Sequence, residues 1–199
     1  MEITHAAPVF HTKATEWGNE PVEAEAACIE AAKSNPAAFE PLYNRYRERI
    51  YHYLHTRVNN DEDAADLTQQ VFLMAIDALP RYKQRGIPFI AWLFRIAHHT
   101  AVNAARRYKS SVSWDALPEI FHPVSPQSPE DLALKQETLA HLKSLIASLS
   151  PDKRELLALR FAAGLSAPQI AAIVGKKPET VKKQITRLIT LLKEQNQHE

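Results

Sequence analysis

The chain has 199 residues, 45% of them hydrophobic, enough to bury the core of one medium domain or two small ones. Four glycines against thirteen prolines, with no sustained Val/Ile/Thr alternation, exclude a sheet protein and favour helix. A formal net charge of +1 excludes a chain that holds nucleic acid by overall charge, and a lone cysteine (Cys28) excludes an intrachain disulfide, which fits a reducing, cytoplasmic setting.

Residues 1–22 have no period and read as a tail. They lack a basic start followed by an apolar run, so no signal peptide is expected. A short Ala/Glu-rich helix is expected over Glu23 to Lys33, and Pro36 suits the first turn of the next. Phe39, Leu42, Tyr43, Tyr46, Ile50, Tyr53 and Leu54 then recur at helical spacing. A turn at Val58 to Asp63 leads into a third helix, with Ala64, Leu67, Val71, Met74, Ala75 and Ala78 as its expected inner face; Pro80 stops it. A basic loop, Arg81 to Pro88, precedes a fourth helix to Arg107. Its expected inner stripe is Phe89, Leu93, Ile96, Ala97, Thr100 and Ala104.

From Tyr108 the period collapses into a proline-containing, acidic linker with Asp115, Glu119, Glu130 and Asp131. Helices resume at Leu132. "SPDKRELLALRFAAG" restarts with Ser150 at the cap, Pro151 and Asp152 in the first turn, and Gly164 at the end. The expectation is an all-α chain of two small domains. They cover 23–107 and 132–195, with a tail at 1–22, a linker at 108–131 and a tail at 196–199.

The second domain ends in a helix-turn-helix pattern. Ser166 and Gln169 have capping-box spacing, Gly175 supplies a left-handed turn, and Pro178 starts the second helix. Val181, Ile185, Leu188, Ile189 and Leu192 form its inner stripe. Glu179, Thr180, Lys182, Lys183, Gln184 and Arg187 face out, with Lys177 at the cap. Such a helix fits the major groove, base-reading groups near its start and cations alongside for phosphates. An ordinary helical hairpin with a solvated lysine face has the same pattern.

Nine histidines invite a metal, yet His52/His55 and His98/His99 come without Cys or carboxylates at ligand spacing, so no metal is expected. No phosphate-cradling loop or nucleophile elbow is present, so no cofactor and no catalysis are expected. No stretch approaches the roughly 18 apolar residues of a membrane span.

"DEDAADLTQQVFLMAIDALPRY" (Asp61 to Tyr82) followed by "GIPFIAWLFRIAHHTAVNAARR" (Gly86 to Arg107) resembles the sigma factors of bacterial RNA polymerase, and more narrowly the extracytoplasmic-function (ECF) group of the sigma-70 family. The resemblance covers Ala37 to Arg107 and Gln136 to Leu192. It implies that Asp63, Asp66, Leu67, Gln69, Gln70 and Phe72, with Val71, lie on the helix that binds core RNA polymerase. It implies that the next helix and its loop open and read the −10 promoter element. There Arg95, His99, Asn103 and Arg106 share a side with Trp92, and Arg107, Lys109, Arg81, Lys83 and Arg85 add charge. Trp92, beside Leu93, reads better as a core residue than as a base stacker. The −35 element falls to the recognition helix, and an anti-sigma factor is a plausible further partner. His98-His99, Asn103 and Lys177 depart from the family's usual residues, so its −10 preference does not carry over. In the family the linker passes through the polymerase cleft; a solvated tether explains the acidic stretch equally well. A stand-alone helix-turn-helix regulator that acts without polymerase is the alternative reading.

Overall fold

The computed structural model describes residues 22–58, 60–84, 86–108 and 129–197. All regular structure among them is helical, in eight α-helices with short 3-10 and π turns. The first four are α1 (Val22–Ser34), α2 (Glu40–His55), α3 (Asp61–Ala78) and α4 (Phe89–Tyr108). The second four are α5 (Pro129–Ser148), α6 (Pro151–Leu157), α7 (Ala167–Val174) and α8 (Pro178–Gln197). Residues 1–21 of the expected N-terminal tail and 109–128 of the expected linker lie outside the described residues. Three expected boundaries shift, because the helices run on past them: Val22 already belongs to α1, Tyr108 still belongs to α4, and 196–197 still belong to α8. At the linker's end there is a correction: 129–131 already belong to α5, because proline's fixed φ suits the first helical position.

Local chemistry explains most boundaries. Asn60 caps α3, its side-chain oxygen accepting from the Asp63 N–H at 2.7 Å. Asp61, Glu62 and Asp63 then sit at the positive end of the helix dipole. Pro80 closes α3 in a 3-10 turn, Leu79–Arg81. Pro36 falls in a separate 3-10 turn, Pro36–Phe39, rather than in the next helix itself.

The inner face of α3 is rotated from the expected one. Ala64, Thr68, Val71, Phe72 and Ala75 are buried, while Met74 is 45% exposed. Thr68 tolerates burial because its hydroxyl donates to the Ala64 carbonyl at 2.7 Å. Phe72 enters an aromatic cluster, edge-on to Tyr43 at 4.7 Å and to Phe39 at 6.2 Å between ring centres.

Helix α4 is buried more widely than one stripe. Ile90, Ala91, Phe94 and Ala101 are buried beside Phe89, Leu93, Ala97, Thr100 and Ala104. The reason is packing on several sides, by α2, α3 and α7. Phe94 meets Tyr53 of α2 edge-on at 5.6 Å.

The same holds for α6 and the five-residue π turn that continues it, Ala158–Ala162. Leu156, Leu157, Ala158, Leu159, Ala162, Ala163 and Leu165 are all buried, with α8 on one side and α2 on another. Gly164, at φ +63°, ends this run. Buried residues from both halves thus form one continuous apolar cluster. Arg49 of α2, itself buried, crosses to the second half. Its guanidinium donates to the Ala163 carbonyl at 2.7 and 2.9 Å and to the Gly164 carbonyl at 3.2 Å. Burial pulls its pKa down to about 10, which leaves it charged at neutral pH.

Candidate nucleic-acid interface

The helix-turn-helix forms as its residues dictate. Gln169 reaches back to accept from the Ser166 N–H at 2.8 Å, completing the capping box before α7. Gly175 adopts φ +69° after α7, and the Lys176 N–H closes the turn on the Ala171 carbonyl at 3.1 Å. The Lys177 carbonyl opens α8, accepting from Thr180 at 3.0 Å and Val181 at 3.1 Å. Val181, Ile185, Leu188 and Leu192 turn inward. Lys177, Glu179, Thr180, Lys182, Lys183 and Arg187 are all exposed. Four cations and one carboxylate therefore line the exposed side of the first three turns of α8, an arrangement suited to a phosphate backbone. Gln184 departs from the expected set: it is half-buried, and its side-chain oxygen is turned inside.

On α4, Arg95, His99 and Asn103 are exposed at four-residue spacing and so share one side, as expected; Lys83 in the preceding loop is also exposed. The Arg85 side chain and those of Arg106, Arg107 and Lys109 lie outside the described residues. Trp92 is half-buried against Tyr82 at 4.8 Å and Phe89 at 5.3 Å, so it is largely packing. Arg95 carries a contact that its position in the sequence did not suggest. Its guanidinium donates to the Ala172 carbonyl, in the last turn of α7.

On α3, Asp66, Gln69 and Gln70 are exposed. Asp63 is half-buried and held by Asn60, whose side-chain amide donates to it at 2.9 Å. Leu67 packs partly into the core. Phe72 does not belong to any docking surface, being 3% exposed within its aromatic cluster. The apolar groups offered outward are Leu73, 65% exposed, and Met74. Sequence periodicity missed them because Met74 fits the same spacing as the core. A helix with Leu73 next to Met74 and five inward residues elsewhere has one apolar pair too many for a single face, and that surplus was the available signal.

His55 Nε2 lies 2.8 Å from Asp61 and His52 Nε2 lies 3.8 Å from Glu48. Among the described residues no group of three or more His, Cys, Asp or Glu is placed to hold a metal ion, and no helix is long and apolar enough to cross a membrane.

Two family descriptions match the chain in this order: Sigma-70 region 2 over residues 42–111, and Sigma-70, region 4 over residues 140–192. The first spans α2 to α4 and the second spans the helix-turn-helix. ECF RNA polymerase sigma factor SigD of Mycobacterium tuberculosis is 32% identical over 86% of this chain and 82% of its own length. SigE of Mycolicibacterium smegmatis is 30% identical over 94% and 76%. Among solved structures, CnrH in complex with the cytosolic domain of CnrY aligns with a TM-score of 0.60 at 26% identity, over 83% of this chain and 92% of that one. The chain belongs to the ECF sigma factors of the sigma-70 family.

Proposed function

We propose that this sigma factor directs core RNA polymerase to promoters through three outward surfaces. Helix α8 lies in the major groove of the −35 element, with Lys182, Lys183 and Arg187 on phosphates and Glu179 and Thr180 nearest the base edges. The α4 side bearing Arg95, His99 and Asn103, together with Lys83 and the neighbouring cations, engages the −10 element as its strands part. The α3 face of Asp66, Gln69, Gln70, Leu73 and Met74 docks on core polymerase, carboxylates and amides around an apolar centre. The division of the chain into a region 2 domain and a region 4 domain follows the same lines. The protein acts in the cytoplasm, where core polymerase is. An anti-sigma partner is included in this reading, supported by the alignment to a relative bound to another protein's cytosolic domain.

The observation that carries the reading is the open cationic face of α8, held on a capped helix-turn-helix in a chain of near-zero net charge. Such a face suits binding as one part of a larger assembly, where polymerase supplies the rest of the affinity. Run-off transcription tests it. Purified protein with core polymerase on a promoter library is expected to give discrete starts that core alone does not give. No starts, together with no co-migration of protein and core, would favour a stand-alone regulator.

A further inference from the structure

A chain of contacts runs from α1 to the loop between α3 and α4. It starts at Glu25, half-buried on α1, whose carboxylate accepts from the Tyr46 hydroxyl of α2. Burial and that carboxylate hold the hydroxyl's pKa up, against the pull of Arg45, so it remains a donor at neutral pH. The Tyr46 ring lies 5.9 Å from Phe89 at the start of α4, and Phe89 lies edge-on to Tyr82 at 5.6 Å. Tyr82 is buried at the departing end of the loop, its ring 4.8 Å from Trp92. Its hydroxyl donates to the Ile87 carbonyl at 3.4 Å, where the loop returns. Glu25 also acts on Tyr82 directly, its charge adding to burial in raising that hydroxyl's pKa. Helix α1 itself packs against the Leu79–Arg81 turn from which the loop departs.

Arg81 and Lys83, the neighbours of Tyr82, are both exposed. Tyr82 is extended, at φ −64° and ψ 128°, so the side chains before and after it turn to solvent while its own turns in. Their direction is therefore set by what holds Tyr82, and that hold runs back through Phe89 and Tyr46 to Glu25. Helix α1 is a poor partner for DNA on its own account. It carries three glutamates against one lysine, and that lysine, Lys33, pairs with Glu30 at 2.6 Å. What Glu25 contributes is order. Resting on the sigma reading above, we propose that Glu25 is a positioning residue for promoter opening: through Tyr46 and the ring cluster it fixes the Tyr82 segment, and with it Arg81 and Lys83, in the form that receives the parted strands, without touching them. Cations already ordered lose less freedom on binding than cations on a loose loop. The gain falls on the opening step, because in that reading the closed duplex is held elsewhere, through α8.

The first measurement uses the free full-length chain. Trypsin cleavage after Lys83 under native conditions, followed by mass spectrometry, reports how often the loop opens. Glu25→Ala and Tyr46→Phe are each expected to speed it about ten-fold, and the two together no further, since they break one hydrogen bond from its two sides. Glu25→Gln still accepts from Tyr46 and is expected to stay within about two-fold of wild type. The second measurement uses holoenzyme on a promoter carrying 2-aminopurine in the −10 element. Glu25→Ala is expected to slow opening about five-fold at saturating holoenzyme with initial duplex binding unchanged, and Glu25→Gln to restore the rate. Equal cleavage of wild type and both variants overturns the proposal, as does faster cleavage with an unchanged opening rate. A parallel loss of duplex binding and opening makes Glu25 structural and overturns it too. If Glu25→Ala loses helicity by circular dichroism, Tyr46→Phe carries both measurements, because it keeps the ring and leaves the sequence of α1 unaltered. Wild-type protein that gives no run-off starts sinks the sigma reading, and the role in opening with it, while cleavage still decides the hold of Glu25 on the loop.

Discussion

The outward face of α8 and the basic side of α4 are built from the same materials: a long helix, an apolar inner stripe and cations at helical spacing. Their situations in the free chain differ. The α8 face is open from Lys177 to Arg187 apart from Gln184, because α5, α6 and α7 cover only its inner side. The α4 side is partly engaged, because α7 packs on that helix and takes Arg95 as a donor. Under the proposed function, the α8 face can be finished in advance, since the major groove exists before the protein arrives. A surface for parted strands has no ligand until melting begins, and covering it costs nothing before then.

Substitutions can separate the two surfaces. The largest effect is expected on α8. Replacing Lys182, Lys183 and Arg187 together with alanine should weaken promoter binding by the polymerase complex roughly a hundredfold, about 2.7 kcal/mol. It should also flatten the dependence of log affinity on log salt by about 3, measured by titration at several salt concentrations, with core binding unchanged. If core binding falls equally, the two surfaces are not independent.

Arg49→Met comes next, because it touches neither of the surfaces proposed for DNA. Losing a charged donor to two carbonyls should lower stability by about 2 kcal/mol. For a chain of this size that is a fall of about 4–8 °C in Tm by calorimetry. Arg95→Ala sharpens the contrast directly. Open-complex formation by holoenzyme should drop about ten-fold, about 1.4 kcal/mol, while the free chain loses one exposed bond and under about 1 kcal/mol of stability. A large loss of stability with normal melting would make Arg95 purely structural.

The smallest effect is a pH dependence. Burial, the Arg57 guanidinium and the neighbouring His99 push the His98 imidazole below the ordinary histidine value. Tyr53, its hydroxyl kept protonated by burial, and Glu155 complete its surroundings. The folded chain therefore binds fewer protons than the unfolded one in mildly acidic solution. His98 contributes stability that is fully present above about pH 6.5 and is lost as pH falls through its lowered value. Thermal scans from pH 8 to pH 5 should show wild type losing more Tm than His98→Gln. Parallel losses would show that His98 is not the titrating group.

Much of this architecture was legible in the sequence because it rests on local chemistry. Asn60, Ser166, Gly175 and Pro178 mark helix ends by hydrogen bonds and backbone angles that span four residues or fewer. The outward set on α8 was legible for the same reason, since one side of that helix is buried and one is not. Periodicity fails where a helix is covered on several sides. In α4 the inner stripe widens to Ile90, Ala91, Phe94 and Ala101, and in α6 nearly every apolar residue is buried. On α3 the aromatic cluster of Phe39 and Tyr43 pulled Phe72 in and left Met74 out, a choice made by residues some thirty positions away in the chain. The seam between the halves was least visible of all. Its one trace was Glu155, a carboxylate directly before Leu156 and Leu157, matched by Arg49 amid Tyr46, Ile50 and Tyr53.

The π turn at Ala158–Ala162 has a geometric consequence. Successive residues of an α-helix advance about 100° around the axis, and one extra residue in a turn delays that advance for everything beyond it. Glu155 lies before the turn and Ala163 and Gly164 lie after it, yet all three point at α2, at Tyr53 and Arg49, which stand four residues or about 6 Å apart. The wide turn acts as a phase shifter that brings two grips into line on one partner. Length is therefore a stricter requirement than composition between Glu155 and Gly164: a leucine there can be exchanged for another apolar side chain, but one residue removed swings one grip about 100° away from its hold.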